Sequence, residues 1–266
     1  MSNLLLCLLL CLGASIQVLP AQNLRAEPLT IADGLSQGMI YDIEQTDDGF
    51  LWFATKDGLN RFDGYNFEVF TNDPFNAFSI AGNDVQRLFE DSRGNLWVSV
   101  AGKGVDVLEK NSGRFLHLPL KTSLEGKDQP PSVSESSDGT IWVGAIDDGL
   151  LHLRWTSPPE AVMTGSSADL KSYMEQIERR QKQGEVFFNS LLQSDGAILS
   201  TSSNQHKLYR YTPHNDRFTL LVAATHPKDD NPCLLETKPG RSWIIIGGQL
   251  YVIENGGDPR PIRLNT

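Results

Sequence analysis

Apolar and polar positions along this chain fall into short blocks that recur. Trp52, Trp97 and Trp142 stand 45 residues apart, and each follows the same local grammar: Asp47-Asp48-Gly49-Phe50-Leu51, Ser92-Arg93-Gly94-Asn95-Leu96, Ser137-Asp138-Gly139-Thr140-Ile141. Two weaker copies follow, Ser194-Asp195-Gly196-Ala197-Ile198-Leu199 and Lys238-Pro239-Gly240-Arg241-Ser242-Trp243. The five turn glycines are separated by 45, 45, 57 and 44 residues, a period that marks a repeat architecture.

Within each unit the pattern predicts consecutive hairpins. Apolar strands precede the turn at Ile40–Gln45, Val85–Glu90, Ser132–Ser136, Phe188–Gln193 and Cys233–Thr237. An Asp-Gly or Arg-Gly pair then supplies the positive φ that a tight turn needs. Second strands follow at Leu51–Ala54, Leu96–Val100, Ile141–Gly144, Ile198–Thr201 and Trp243–Ile246. Gly58, Gly104, Gly149 and Gly248 open a second turn into third strands such as Leu59–Phe62 and Leu250–Ile253. Fourth strands are visible at Phe67–Phe70, Phe115–Leu118, Phe218–Leu221 and Pro261–Leu264. Four antiparallel strands in about 45 residues is a β-propeller blade, so the fold class is all-β with about five blades, an incomplete and open ring. The blades are placed at about 33–75, 79–120, 128–165, 186–223 and 231–266, with the repeat Trp residues as core between blades. The long interval carries 12 extra residues in Ser166–Gly184, where Leu170, Tyr173, Met174 and Ile177 recur at helical spacing. An amphipathic helical insertion at about 166–184, between the third and fourth blades, is therefore expected.

An uncharged leader precedes the repeats. Its apolar run, Leu4 to Leu19, exits through Pro20-Ala21-Gln22, which reads as a secretory signal peptide over 1–22 and leaves 23–266 as a partial propeller on the exported side. The 266 residues carry 23 Lys+Arg against 33 Asp+Glu, a net charge of −10. That balance disfavours non-specific binding to nucleic acid, which needs surplus cations. Of three Cys, Cys7 and Cys11 lie in the leader, so Cys233 has no intrachain partner in the mature chain and is expected as a small buried apolar residue.

Catalytic chemistry is absent from the pattern. His117, His152, His206, His214 and His226 pair at no metal-ligand spacing. There is no G-x-S-x-G elbow, and Gly126-Lys127-Asp128 fails the phosphate-loop requirement for Ser or Thr. The pairs Asp47-Asp48, Asp147-Asp148 and Asp229-Asp230 sit at turns, where Asp serves backbone geometry, and Asp57–Asp63 misses the ligand positions of a calcium loop. No catalytic residue, cofactor or metal is assigned, and ligand-binding residues stay unassigned.

The segment Asp33-Gly34-Leu35-Ser36, with Asp48-Gly49-Phe50-Leu51-Trp52-Phe53-Ala54-Thr55 and Asp57-Gly58-Leu59-Asn60-Arg61-Phe62-Asp63-Gly64, resembles the first blade of two-component regulator propeller repeats. The resemblance is strong over 27–155 and weak over 186–264. It implies the periplasmic sensor region of a hybrid histidine kinase: a non-catalytic propeller that binds a small molecule or oligosaccharide. Because family propellers usually have seven blades and then kinase domains, it also implies a truncated sensor, lacking blades and downstream signalling domains and prone to self-association. Two alternatives stand beside it. A streptogramin-lyase-like enzyme would need a His and acidic groups converging around the axis, and a protein-interaction scaffold would need only a surface. Fold alone does not choose among them.

Overall fold

The computed structural model describes residues 28–120, 123–124, 127–128, 130–145, 149–180, 182, 185, 187–202, 207–224 and 233–263. The signal peptide expected at 1–22 lies outside these residues. Five blades of four antiparallel strands each are arranged about an axis in sequence order. Blade one is β1 (Ile40–Gln45), β2 (Leu51–Thr55), β3 (Gly58–Phe62) and β4 (Phe67–Phe70); blade two is β5 (Val85–Glu90), β6 (Leu96–Val100), β7 (Gly104–Leu108) and β8 (Phe115–Pro119). A two-stranded hairpin, β9 (Ser123–Leu124) and β10 (Lys127–Asp128), leads to blade three: β11 (Ser132–Glu135), β12 (Ile141–Ala145), β13 (Gly149–Trp155) and β14 (Met174–Arg180). Blade four is β15 (Phe187–Leu192), β16 (Ile198–Ser202), β17 (Lys207–Thr212) and β18 (Arg217–Ala223); blade five is β19 (Cys233–Lys238), β20 (Arg241–Ile246), β21 (Gln249–Glu254) and β22 (Arg260–Pro261). The first strand of each blade neighbours the first strand of the next, so these five strands surround the axis.

The turn grammar has a common geometry in blades one to four. Gly49, Gly94, Gly139 and Gly196 all hold positive φ, and each N–H donates to the carbonyl three residues earlier, as Gly94 N does to Asp91 O at 2.8 Å. The residue opening each turn pairs across it, Asp91 N to Asn95 O at 3.0 Å. This is a type I turn closed by a left-handed residue, which glycine adopts without steric cost.

Four apolar clusters fill the four gaps between successive blades, and the residue three places after each turn glycine enters the gap with the following blade. Trp52 packs with Ile80, Val85 and Val98; Trp97 with Ile141, Val143 and Leu151; Trp142 with Ile198 and Tyr211; Leu199 with Ile244, Ile246 and Ile253. In the four repeat tryptophans the indole N–H is met from six residues earlier: Trp52 Nε1 donates to Thr46 Oγ1 (3.1 Å), Trp97 to Asp91 Oδ2 (2.9 Å), Trp142 to Ser136 Oγ (3.1 Å) and Trp243 to Thr237 Oγ1 (3.2 Å). A glutamate at the end of the next blade's first strand latches each gap but one. Asp47 N donates to Glu90, Ser92 N and Oγ to Glu135, and Ser194 N and Oγ to Glu236. Leu192 takes that place in blade four.

Blade five has no following blade among the described residues, and its outward face shows it. Ala54, Ser99 and Thr201 are 0%, 1% and 0% exposed, whereas Ile245, at the same repeat position, is 41% exposed. Trp243 is half-buried and Leu235 exposed beside it. Blade one is uncovered on its opposite face. Ile43 is 53% exposed against 9% for its repeat equivalent Leu88, and Ile40 is exposed too. Trp52 and Phe53, on the second strand of this blade, are buried. Trp52 faces blade two, and Phe53 lies under Phe67, against which Gly34 packs. Ser36 N binds Asn60 Oδ1 (2.8 Å), pinning this N-terminal segment across the blade.

Two expectations are overturned. The extra residues do not form a helix between blades three and four. Their described residues belong to blade three: they complete the connection from β13, which begins with the short helix α1 (Pro159–Thr164), through a 3₁₀ turn at Leu170–Ser172, and then form the fourth strand β14. Leu170, Tyr173 and Met174 do face one way, but the surface they fill is the gap between blades two and three, and the residues after Met174 pair with β13. Cys233 is exposed, because its face of β19 has no neighbouring blade to bury it.

His117 on β8 ties three segments together. Its Nδ1 lies 2.8 Å from Asp106 Oδ1, and its Nε2 lies 2.9 Å from the Ala77 carbonyl. Asp106 also accepts Ala81 N, while His117 N donates to Ala168 O and the residue bridges Asp169. Both ring nitrogens face acceptors, an arrangement that the doubly protonated imidazolium satisfies fully. The hydrogen bond to Asp106 leads in raising the His117 pKa above its ordinary 6.5, with burial opposing and the Asp169 charge adding to the rise.

Trp97→Ala should destabilise the fold by about 3–5 kcal/mol by emptying an enclosed gap, and Trp243→Ala by clearly less, since its gap is already open. Equal losses in urea unfolding would contradict these burial assignments. Because the folded-state pKa of His117 is raised, its contribution is complete below the unfolded value and disappears as pH climbs through the folded one. The urea midpoint should therefore fall between about pH 6 and pH 8, and His117→Asn should flatten that fall.

Candidate functional site

Around the axis, the residue seven places before each turn glycine is Asp42, Arg87, Ser132, Asn189 or Cys233. In blades one, two and four the pairing with the second strand slips immediately before it, between Ile40 and Asp42, Val85 and Arg87, and Phe187 and Asn189. Such bulges re-aim a side chain at the cost of a ladder bond. Here the same irregularity recurs at the same place in three blades.

These strands enclose an axial cavity of about 160 Å³ whose lining includes Asp42, Arg87, Ser132, Ser190 and Leu234, one or more residues from every blade. Asp42 is held by two backbone donors, Ile43 N (2.9 Å) and Leu88 N (3.0 Å), the second reaching across from blade two. Burial lowers the Arg87 pKa from its ordinary value, with Asp42 and Cys233 acting the other way. Ser190 N donates to Ser132 Oγ (2.9 Å), and Ser190 Oγ meets Ser200 Oγ (2.8 Å), a hydroxyl chain from blade three into blade four. At roughly 30 Å³ per water the cavity holds a handful of waters, or one polar fragment that replaces them. Activating a serine as nucleophile requires an adjacent base. The partners described for these hydroxyls are backbone groups and other hydroxyls. The site is equipped to bind by hydrogen bond and charge.

A second polar cluster stands before blade four. Glu185 accepts from Ser202 Oγ (2.5 Å), Tyr209 Oη (2.6 Å) and Lys207 Nζ (2.9 Å). Burial pushes its pKa up, yet these three donors outweigh burial and hold it below the ordinary value, while burial and the Glu185 carboxylate raise the Tyr209 phenol. Every oxygen is answered within the fold, so the cluster orders the chain entering blade four.

The sequence-flagged residues are dispersed. His117 lies on the outer strand of blade two, His152 on β13 stacked upon Trp142 (4.0 Å), and His214 in the turn after β17. His206 and His226 lie outside the described residues, as do Asp147-Asp148 and Asp229-Asp230. Asp48 accepts Thr46 Oγ1 within its turn (2.6 Å). Among the described residues no cluster of His, Cys, Asp and Glu could hold a metal, and no helix is long and apolar enough to cross a membrane. The axial residues Asp42, Arg87 and Ser132 were not singled out from the sequence. Their signal was there: aligned on the turn glycines, all three are polar at position minus seven, whereas blades four and five contribute Ser190 and Leu234 at position minus six.

Comparison with known proteins agrees with this architecture. A profile of the two-component regulator propeller matches residues 34–57 and 79–102, in blades one and two. Over 59 residues, 22% of this chain and 4% of the relative, the chain is 46% identical to histidine kinase P4 of Formosa agariphila. The extracellular domain of the putative one component system BT4673 from B. thetaiotaomicron superposes with a TM-score of 0.67 at 16% identity, over 89% of this chain and 32% of that one. The extracellular domain of the putative hybrid two component system BT3049 from the same organism gives 0.54 at 20% identity, over 90% and 37%. A streptogramin B lyase structure gives 0.58 at 19% identity, over 88% and 71%. The chain spans about a third of the two extracellular domains, and at these identities the superpositions establish the fold. With four-stranded blades, the turn grammar and the matched profile together, the chain is a β-propeller whose first two blades match the two-component regulator propeller profile.

Proposed function

We infer that this chain is the extracytoplasmic, ligand-sensing propeller of a signalling protein of the two-component, hybrid histidine kinase type, and that it performs no chemistry itself. The observation that carries the reading is the regulator-propeller match in blades one and two. The axial site supports the binding role: a carboxylate, a guanidinium and serine hydroxyls, contributed by successive blades, suit the hydroxyl-rich surface of a small polar molecule or an oligosaccharide end. The lyase alternative asks for a histidine at the axis, and no described first strand contains one. Uncovered Ile43, Leu235 and Ile245 support a further part of the reading, that additional blades or a second copy complete the assembly.

Calorimetric titration of the purified chain with a panel of neutral and acidic oligosaccharides tests the sensor reading. At least one should bind, and Arg87→Ala and Ser190→Ala should each weaken it about tenfold or more. Absence of binding across the panel, or binding indifferent to both substitutions, would overturn the axial assignment. In sedimentation velocity the chain should self-associate with rising concentration, and Leu235→Lys with Ile245→Lys should return it to monomer. A strictly monomeric parent chain would show that the exposed blade faces need no cover.

A further inference from the structure

A further cavity lies away from the axis. It lies between the outer strand of blade two and the third and fourth strands of blade three, and its volume is about 430 Å³. Leu118, Leu151, Leu153, Leu170 and Met174 supply walls that are otherwise buried in the gap between blades. Other gaps contain aromatic pairs reaching their outer strands: Phe70 against Phe115 between blades one and two, and Tyr211 against Phe218 beside Trp142 between blades three and four. Here the outer wall is leucine and methionine, so space remains. Lys171 and Gln176 also line the cavity, and both are solvent-exposed, which places its polar groups at the mouth. The neighbouring carboxylate of Asp169 is engaged by the Lys171 backbone N–H (3.0 Å). Among the described residues the Lys171 ammonium enters no ion pair.

We propose that this cavity is a binding site for an amphiphile with an anionic head and an unbranched apolar tail, such as a medium-chain carboxylate. The tail takes the leucine-lined space and releases its water. The head stays at the mouth, where the Lys171 ammonium meets it and Gln176 donates a hydrogen bond. The volume lies within the range of sites for small organic ligands and suits a chain of roughly ten carbons. The site is separate from the axial one, and the proposal stands whether or not an oligosaccharide binds there. It gives the gap between blades two and three a ligand of different chemistry. The occupant would touch Leu170, in the long connection of blade three, and Met174, the first residue of β14.

Isothermal titration of the purified chain with decanoate and with decanol tests the site. Decanoate should bind with one-to-one stoichiometry. Lys171→Glu should weaken decanoate at least about tenfold while leaving decanol within about twofold, because only the charged head is read. Met174→Trp, which fills the cavity, should abolish binding of both. Gln176→Trp, an exposed position at the mouth that does not endanger folding, should weaken both even if the filled variant fails to fold. No saturable heat with decanoate overturns the proposal. So does unchanged decanoate affinity in Lys171→Glu. Binding that survives both tryptophan substitutions would also overturn it, and would assign the tail to the uncovered faces at Ile43, Leu235 and Ile245.

Discussion

Everything in this fold depends on burying one large side chain between successive blades while its single polar hydrogen stays bonded. An indole brings 150–250 Å² of contact surface, worth about 4–6 kcal/mol at the usual 25 cal/mol per Å². Leaving its N–H orphaned in the gap would cost about 1–3 kcal/mol of that. The repeat answers with the residue six places earlier, which stands at the head of the same hairpin turn and therefore always arrives beside the indole. Asp91 shows how far this can be taken: its carboxylate accepts Arg93 N, Asn95 N, Asn95 Nδ2 and Trp97 Nε1. One side chain fixes the turn, the strand entry and the indole together.

Blade four confirms the rule by breaking it. With Leu199 in place of Trp there is no N–H to satisfy, and Gln193, in the acceptor's position, is released to other partners. Its amide nitrogen reaches Ser242 Oγ across the next gap (2.9 Å), and its oxygen accepts Arg210 (2.9 Å). The glutamate latches follow the same economy, joining the turn of one blade to the first strand of the next. At blades one and two a latch and an axial contact occur together, Asp47 N on Glu90 and Leu88 N on Asp42. Blades three and four have no glutamate latch, and there the axial hydrogen bond from Ser190 N to Ser132 Oγ itself joins the two first strands.

The gap between blades two and three is the exception that creates opportunity. It takes in the connection unique to blade three, with Trp155, Val162, Leu170 and Tyr173 added to the cluster of Trp97. Arg114 secures this connection through the carbonyls of Met163 and Gly165, and His117 through Ala168. This gap accommodates extra chain at its periphery, and flexible leucine and methionine side chains line the cavity beside it.

The repeat, the turns and nearly all strand positions were legible in the residues themselves. They follow from local rules: positive φ at a turn glycine, alternation along a strand, and a large apolar residue at a fixed offset. The missing fourth strand of blade three was not legible. Leu170, Tyr173, Met174 and Ile177 satisfy helical spacing, but only pairing with β13 and the shape of the gap made Met174–Arg180 a strand. Exposure of Ile245, against burial of Ala54, Ser99 and Thr201 at the same repeat position, was likewise invisible position by position, since burial belongs to the neighbouring blade and not to the residue. The axial ring sits between these cases. The residue types were set by the sequence, but the bulges that turn them and the blade rotation that gathers them are properties of packed sheets. The local period determined that this chain makes blades; contacts between blades decided which side chains share a cavity, because residues 45 places apart meet only after the gaps have closed.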